Sequence, residues 1–223
     1  MPQLLSIQVG LPAEHGADAI SNKSWQSGIF KFPVTGRIHL DSTNLAGDGQ
    51  DDLKNHGGPY RAVLAYNAAH YDIWREELNL PDLPYGAFGE NFTVSGLDEE
   101  TICIGDIYAI GEVQLEVAQP RMPCWKLARR WGIKDLTARV DVKAWGGWYH
   151  RVLQEGEVEA GLPITLIARP YPKFTISYIY KLMNDRIESP DAMEDMAALA
   201  DVAALSPGWR RAFVGRIEAE EEA

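Results

Sequence analysis

The chain has 223 residues, 46% hydrophobic and 24% charged, with a formal net charge of −11 and a pI near 4.9. That composition is ordinary for a globular protein able to bury a sizeable core. Its acidity excludes a general nucleic-acid binder, which needs a broad basic face. Cys103 and Cys124 make no disulfide framework. Met1-Pro2-Gln3-Leu4-Leu5 lacks the basic start and apolar stretch of a secretion signal, and no apolar run has the length of a membrane span. A cytoplasmic protein without a membrane partner is the expectation.

Leu4 to Val9 alternates as a first strand, and the polar stretch 10–27, with its Gly and Pro, reads as a loop. Ile29 to Val34 and Gly36 to Leu40 read as two strands around a turn. The next segment holds Gly47-Asp48-Gly49-Gln50 and His56-Gly57-Gly58-Pro59. Its glycines let backbone approach a ligand closely, and His56 sits at a tight corner, either as a functional group or as a turn cap. Ala62 to Tyr66 is a short strand. Asn67 then caps a helix through Leu78, with Tyr71, Trp74 and Leu78 on its core face. Phe88-Gly89-Glu90-Asn91 is a glycine turn that carries a carboxylate and an amide into a strand, and a turn-stabilising pair is its simplest reading.

Gly105 to Gly111 and Val113 to Val117 form a hairpin pattern. Cys103, in an apolar β-branched run, is expected in the core. The hairpin leads into Gln119-Pro120-Arg121-Met122-Pro123-Cys124-Trp125-Lys126-Leu127, then a helical stretch to about Val142. Prolines stiffen the approach to Cys124. A helix start, Arg121 and Lys126 all favour a thiolate, which is both a nucleophile and a soft metal ligand. From Arg121 to Lys143 there are seven Lys or Arg against Asp135 and Asp141 alone. In so acidic a chain this excess points to an anionic ligand such as a phosphate. A buried structural cysteine beside a solvated helix face fits the same residues.

Gly146 to Leu153 reads as a strand, Glu155-Gly156-Glu157 as a turn and Ile164 to Ile167 as a last strand. Many short strands favour an antiparallel barrel-like domain over a parallel sheet. Beyond Arg169-Pro170-Tyr171-Pro172 the chain reads helical. Thr175 caps one helix, Ser189-Pro190 and Ser206-Pro207 open others, and residues 218–223 form a frayed acidic tail. No Gly-x-Ser-x-Gly elbow, P-loop, His-Glu-x-x-His or Cys-x-x-Cys is present.

Taken in order, the Gly-Asp-Gly-Gln, His-Gly-Gly-Pro, Phe-Gly-Glu-Asn and Gln-Pro-Arg-x-Pro-Cys segments resemble the MOSC domain family, named for the C-terminal domain of molybdenum cofactor sulfurase. The likeness is strongest to its YiiM subgroup, over about Ser27 to Ile167, and the helical tail resembles the three-helix domain that follows in that subgroup. The resemblance implies a mainly β fold with α: a β-barrel-like MOSC domain over 1–169, followed by a small three-helix domain over 170–223. It also implies a molybdopterin-type molybdenum cofactor with Cys124 as protein ligand to the metal. Related proteins reduce N-hydroxylated compounds such as hydroxylaminopurines and amidoximes to amines. Arg121 and Arg61 are then expected on the pterin phosphate, with Lys126 beside them. His56, Asp48, Glu90 and Asn91 would line the cofactor or deliver a proton, and Gly57 and Gly58 would approach it through backbone. No flavin, haem or iron–sulfur motif is visible, so a separate flavoprotein or ferredoxin-type donor is expected, docked on the basic 121–143 region or the helical tail. Two other classes share these residues: a non-catalytic cofactor or sulfur carrier, and a hydrolase or transferase with Cys124 as nucleophile and His56 as base.

Overall fold

A computed structural model describes residues 1–187 and 190–222, the side chain of Glu221 excepted. Eight strands make one sheet: β1 (Gln3–Val9), β4 (Phe32–Val34), β6 (Val63–Asn67), β7 (Phe92–Ser95), β8 (Ile107–Ile110), β9 (Val113–Pro120), β10 (Trp148–Gln154) and β12 (Thr165–Ala168). Their order is β12-β8-β9-β10-β6-β7-β1-β4. Two small ribbons pair β2 (Ala13–His15) with β3 (Trp25–Ser27), and β5 (Ile38–Leu40) with β11 (Gly156–Val158).

The ladder is not a closed barrel among the described residues, yet it curls nearly into one. Leu4 N donates to Leu162 O at 3.0 Å and Ile164 N to Pro2 O at 3.0 Å, which lays the start of β1 along the segment entering β12. The inward side chains of this curled sheet, Leu4, Ile7, Val63, Phe92, Leu115 and Trp148 among them, form the main apolar core. The sheet is also not wholly antiparallel. β6 and β7 run parallel, because helix α2 (Ala69–Glu77) lies between them as a crossover.

Several expectations about elements change. The stretch 10–27 is not a plain loop. It contains the β2–β3 ribbon, where His15 packs in tilted contact with Trp25 and Phe30 at ring separations of 4.9 Å and 4.1 Å. β4 and β5 are both present but do not pair with each other, since β4 lies on β1 and β5 on β11. Pro33 has no N–H to give a second neighbour, which suits the outermost strand. Glu155-Gly156-Glu157 is not a simple turn either, because Gly156 already belongs to β11. Asn67 Oδ1 accepts from Ala69 N at 2.9 Å at the start of α2, whose core face buries Tyr71 and Trp74.

After a short helix α1 (Leu53–His56), the basic stretch beyond Cys124 forms two helices, not one: α3 (Lys126–Trp131) and α4 (Leu136–Lys143). Gly132 takes φ 67°, a left-handed conformation that ends α3. Helix α5 (Ile176–Met183) starts as expected, with Thr175 Oγ1 accepting from Tyr178 N at 3.1 Å. Helix α6 (Ala192–Asp201) is flanked by Asp191; the expected Ser189 start lies outside the described residues. Helix α7 (Pro207–Glu221) opens at Ser206-Pro207 and runs through the acidic stretch, which is therefore helical and not frayed up to residue 221. Phe174, Ile179, Leu199, Leu205 and Phe213 build an apolar cluster that also takes in Ile104, and Ser206 N donates to Ala118 O of β9 at 3.1 Å. No helix of the described residues is long and apolar enough to cross a membrane.

His150 on β10 sits inside the sheet, accepting from Trp148 Nε1 at 3.2 Å, and burial pushes its pKa down to about 4. The unfolded chain, with a His pKa near 6.5, binds a proton that the native state refuses, so stability falls as pH drops from about 6.5 towards 4. Between pH 7 and pH 5 the loss from this group is about 2 kcal/mol. His150→Gln should flatten the pH dependence of urea unfolding by that amount; an unchanged slope would show that His150 is charged in the folded protein.

Candidate functional site

Cys124, His56, Arg61, Arg121, Lys126 and Asn91 line one solvent-open cleft of ≈ 570 Å³. That volume takes in the open solvent at its mouth. The chain brings them there from four places: the end of α1, the 3-10 turn Pro59–Arg61, the glycine turn before β7, and the segment from the exit of β9 into α3. A bulge shapes that exit. Tyr149 pairs with Gln119 and His150 with Val117, leaving Ala118 extra. Val117 thus faces the core with His150, while Gln119 is turned to the side of Tyr149, a cleft-lining residue.

Past the bulge, Arg121 is clamped. Its backbone N donates to Gly147 O at 3.0 Å, and its guanidinium donates to Phe88 O at 3.1 Å and Gly146 O at 3.5 Å. A Cβ on Gly146 would run into the Arg121 carbonyl, so only glycine lets the two backbones meet there. Cys124 is half-buried, and its carbonyl accepts from Leu127 N at 3.0 Å and Thr137 Oγ1 at 3.2 Å. Thr137 belongs to α4, and Tyr180 of α5 together with Arg186 grips Asp141 of the same helix. The C-terminal helical region is therefore tied, through α4, to the loop that carries the thiol.

Arg61 donates to Gly57 O at 3.4 Å, and Lys126 pairs with Asp51 at 3.3 Å. Burial, with the charges of Arg121 and Lys126, lowers the pKa of His56 and so favours its neutral form. Its turn is built by Asp52, whose carboxylate accepts from Asn55 N at 3.1 Å. Gly57 folds back on Leu53 and Gly58 takes φ 92°; neither is among the cleft-lining residues, so they shape the corner behind His56.

Two expected site carboxylates are not on the cleft wall. Glu90 is fully buried and accepts from Tyr71 Oη, Gly86 N at 2.7 Å, Phe88 N at 3.2 Å and Thr93 Oγ1 at 3.0 Å. Its oxygens are filled by the turn they hold. Asp48 is buried too, accepting from Gly10 N at 2.8 Å, Lys31 Nζ, and Asn91 Nδ2 at 2.8 Å. Asn91 lines the cleft, but its amide is spent on Asp48, Gln8 O at 3.2 Å and Leu64 N at 3.1 Å. Lys31 and Tyr149 line the cleft and were not expected there. Lys31 had a signal: a charge inside the apolar run Ile29-Phe30-Lys31-Phe32. Tyr149 had little, being one aromatic of a strand rich in them.

The local basic excess is largely consumed by the fold. Arg129 pairs with Asp18, Arg130 donates to Ile29 O and Gly86 O, Arg139 pairs with Asp135 and Lys143 with Glu77. Arg121 and Lys126 are the members of that excess that line the cleft. Among the described residues no cluster of three or more His, Cys, Asp or Glu could hold a metal ion. The cleft thus offers one thiol, a neutral imidazole and a wall of cations.

The MOSC domain family matches residues 52–165 of this sequence. The chain belongs to the MOSC domain family. Bacillus subtilis YflK is 39% identical over 211 residues, covering 95% of this chain and 92% of YflK. Escherichia coli YiiM is 38% identical over 147 residues, 64% of this chain and 65% of YiiM. A Gibberella moniliformis protein named Reductase is 37% identical over 176 residues, 78% of this chain but only 31% of that longer protein. The crystal structure of Geobacillus stearothermophilus YiiM superimposes with a TM-score of 0.79 at 33% identity, covering 97% of this chain and all of that one. This MOSC protein is thus homologous to YiiM in sequence and structure.

Two outcomes follow from the bracing. Glu90→Ala leaves several buried donors without an acceptor and should cost about 3–5 kcal/mol in denaturant unfolding; a loss under about 1 kcal/mol would mean the turn is held otherwise. Asp141→Ala releases α4 from Tyr180 and Arg186. It should speed alkylation of Cys124 severalfold while buried Cys103 stays unreactive, as read by mass spectrometry of each thiol.

Proposed function

We propose that this protein is a reductase whose cleft holds a molybdopterin-type cofactor, with Cys124 as the protein ligand to molybdenum, and that it converts N-hydroxylated compounds to amines. The observation that carries this reading is the pairing of a single half-buried thiol with Arg61, Arg121 and Lys126 in one open cleft. The donor set fits the group. A metal needing several protein ligands finds no set among the described residues, whereas a metal already held by sulfurs of its own organic frame needs one soft thiolate. The phosphate of such a cofactor carries the negative charge that the cationic wall lacks. A guanidinium grips it best, which favours Arg61 and Arg121, with Lys126 adding a point charge. The fungal relative named Reductase supports the general class of activity.

When bound, the cofactor supplies the redox chemistry at its metal. The chain's residues would do the rest. Cys124 Sγ fixes the metal's position, and the clamp on Arg121 holds the cationic wall beside it. His56, whose neutral form is favoured by burial and its cationic neighbours, would accept and pass on a proton at a ring nitrogen. Reduction of an N–O bond to an amine and water consumes electrons as well as protons, so a separate flavoprotein or ferredoxin-type protein is proposed as the electron donor. Glu90 and Asp48 contribute by holding the walls in place.

Cys124 and His56 share the cleft, which makes a nucleophilic cysteine with a histidine base the second reading. Elemental analysis separates the two. Protein made in a host that synthesises the cofactor should carry near-stoichiometric molybdenum and reduce an N-hydroxylated base with a chemical reductant; Cys124→Ala should lose both. Molybdenum and pterin absent from the wild type would favour the nucleophile, and a variant that kept both metal and turnover would remove Cys124 from the metal.

A further inference from the structure

Lys31 is a cleft residue that stands apart from the arginine cluster. Its side chain is 7% exposed, and it is ion-paired with Asp48, whose side chain is 0% exposed. Charges that act on Lys31 come from Asp48, Glu90 and Arg130. Those acting on His56 come chiefly from Arg121 and Lys126, and Tyr149 feels Arg121, Arg61 and Cys124. The cleft therefore has two electrostatic neighbourhoods, one around the thiol and one around Lys31.

Asp48 is built to hold this second neighbourhood. One of its oxygens takes Gly10 N and Lys31, the other takes Asn91 at 2.8 Å and Gln50 Nε2 at 3.5 Å. Lys31, Asn91 and Gln50 all line the cleft. Beside them Gly28 and Gly49, also in the wall, approach backbone to backbone, so closely that a Cβ on Gly28 would be driven into the Gly49 carbonyl. Two glycine backbones beside an ammonium donor leave room for a heterocycle to approach.

Burying an ion pair is a poor way to gain stability, because desolvation of both charges offsets their attraction, and apolar replacements of similar volume are often no worse. An ammonium has three donor protons, and Asp48 is the one side-chain acceptor for Lys31 among the described residues. The pair is also neutral as a unit. It offers directed donors without net charge, unlike Arg61 and Arg121. A phosphate belongs with the arginines; a carbonyl oxygen or ring nitrogen belongs here.

We propose that Lys31 is a ligand-binding residue that donates to a neutral acceptor on the ring system of the cofactor, and that Asp48 is its positioning residue. The assignment rests on the cofactor reading of the cleft. It is tested with wild type, Lys31→Met, Asp48→Asn and the double variant, each made in a cofactor-producing host. Molybdenum and pterin are counted per chain, the rate of pterin release on dilution is followed by fluorescence, and the stability of the cofactor-free protein is measured in denaturant. Asp48→Asn should be the least stable single variant, because it leaves a buried cation unpaired, and removing both charges should recover stability. Pterin release should quicken about tenfold in Lys31→Met, equivalent to ~1.4 kcal/mol, and stay fast in the double variant. Wild-type retention in Lys31→Met, or retention recovered along with stability in the double variant, would overturn the assignment. A wild type without pterin would instead overturn the cofactor reading beneath it. Inorganic phosphate binding to the cofactor-free protein, by calorimetry, should weaken in Arg61→Met and hold in Lys31→Met; equal weakening in both would move Lys31 to the phosphate subsite.

Discussion

The buried carboxylate of Asp48 is the constraint on which one half of the cleft depends. It draws in the start of the loop after β1 through Gly10, the chain entering β4 through Lys31, its own glycine loop through Gln50, and the entry to β7 through Asn91. Such a carboxylate is costly to desolvate and tolerable only when its lone pairs are filled, which is the state observed. Filling them fixes the mutual positions of four segments far apart in sequence. Asn91 then extends the tie to β6 through Leu64 N. The wall is consequently tied to the sheet behind it, although nearly all of it is loop.

The other half is held by backbone, not by a central charge. The bulge at Ala118 turns β9 so that the chain leaves the core and enters the cleft, and Arg121 is fastened to the loops at Phe88 and Gly146–Gly147. Glu90 fixes the first of these loops, and Glu99 fixes the second by accepting from Gly147 N at 2.9 Å. Two buried carboxylates thus work at one remove from the thiol. The C-terminal helices act at two removes, through Asp141 and Thr137. Placing reactive groups on loops braced by such contacts gives positional precision without requiring a functional side chain to sit on a strand.

Most of the elements were legible because their periodicity is strong. The β8–β9 hairpin, β6, β10 and the Thr175 and Ser206 helix starts read directly from alternation and capping. What failed was short or non-local. Three-residue strands such as β2, β3 and β11 have no period to read, and their pairing partners lie across the fold. The parallel step from β6 to β7 is a property of the crossover, invisible in either strand alone. For the site, Cys124, His56, Arg61, Arg121, Lys126 and Asn91 were chosen by chemistry and motif, and they do share a cleft. Glu90 and Asp48 were misplaced for one reason: residue type identifies a carboxylate, whereas its hydrogen-bond partners decide whether any oxygen is left for a ligand. Lys31 carried a signal as a charge inside the apolar run Ile29-Phe30-Lys31-Phe32, but none of the motifs includes it.

The charge distribution joins these observations. A chain with net charge −11 places Arg61, Arg121, Lys126 and Lys31 on the wall of a single cleft, against one lining carboxylate, Asp51. Elsewhere the fold spends its cations in local pairs, Arg129 on Asp18 and Lys143 on Glu77 among them. A positive cleft in a negative body focuses the field at the cleft mouth and favours small anions over polyanions, which the rest of the surface repels. Within the cleft the charge is not uniform: the arginine side is under-compensated, while Lys31 is matched by Asp48. On the proposed reading, the ligand would be anionic at one end and neutral but hydrogen-bonding at the other. With one thiol in the cleft, it would also bring the remaining metal ligands with it. A phosphorylated heterocycle carrying its own sulfur donors meets all three conditions, and a free metal ion or a simple phosphate meets at most one.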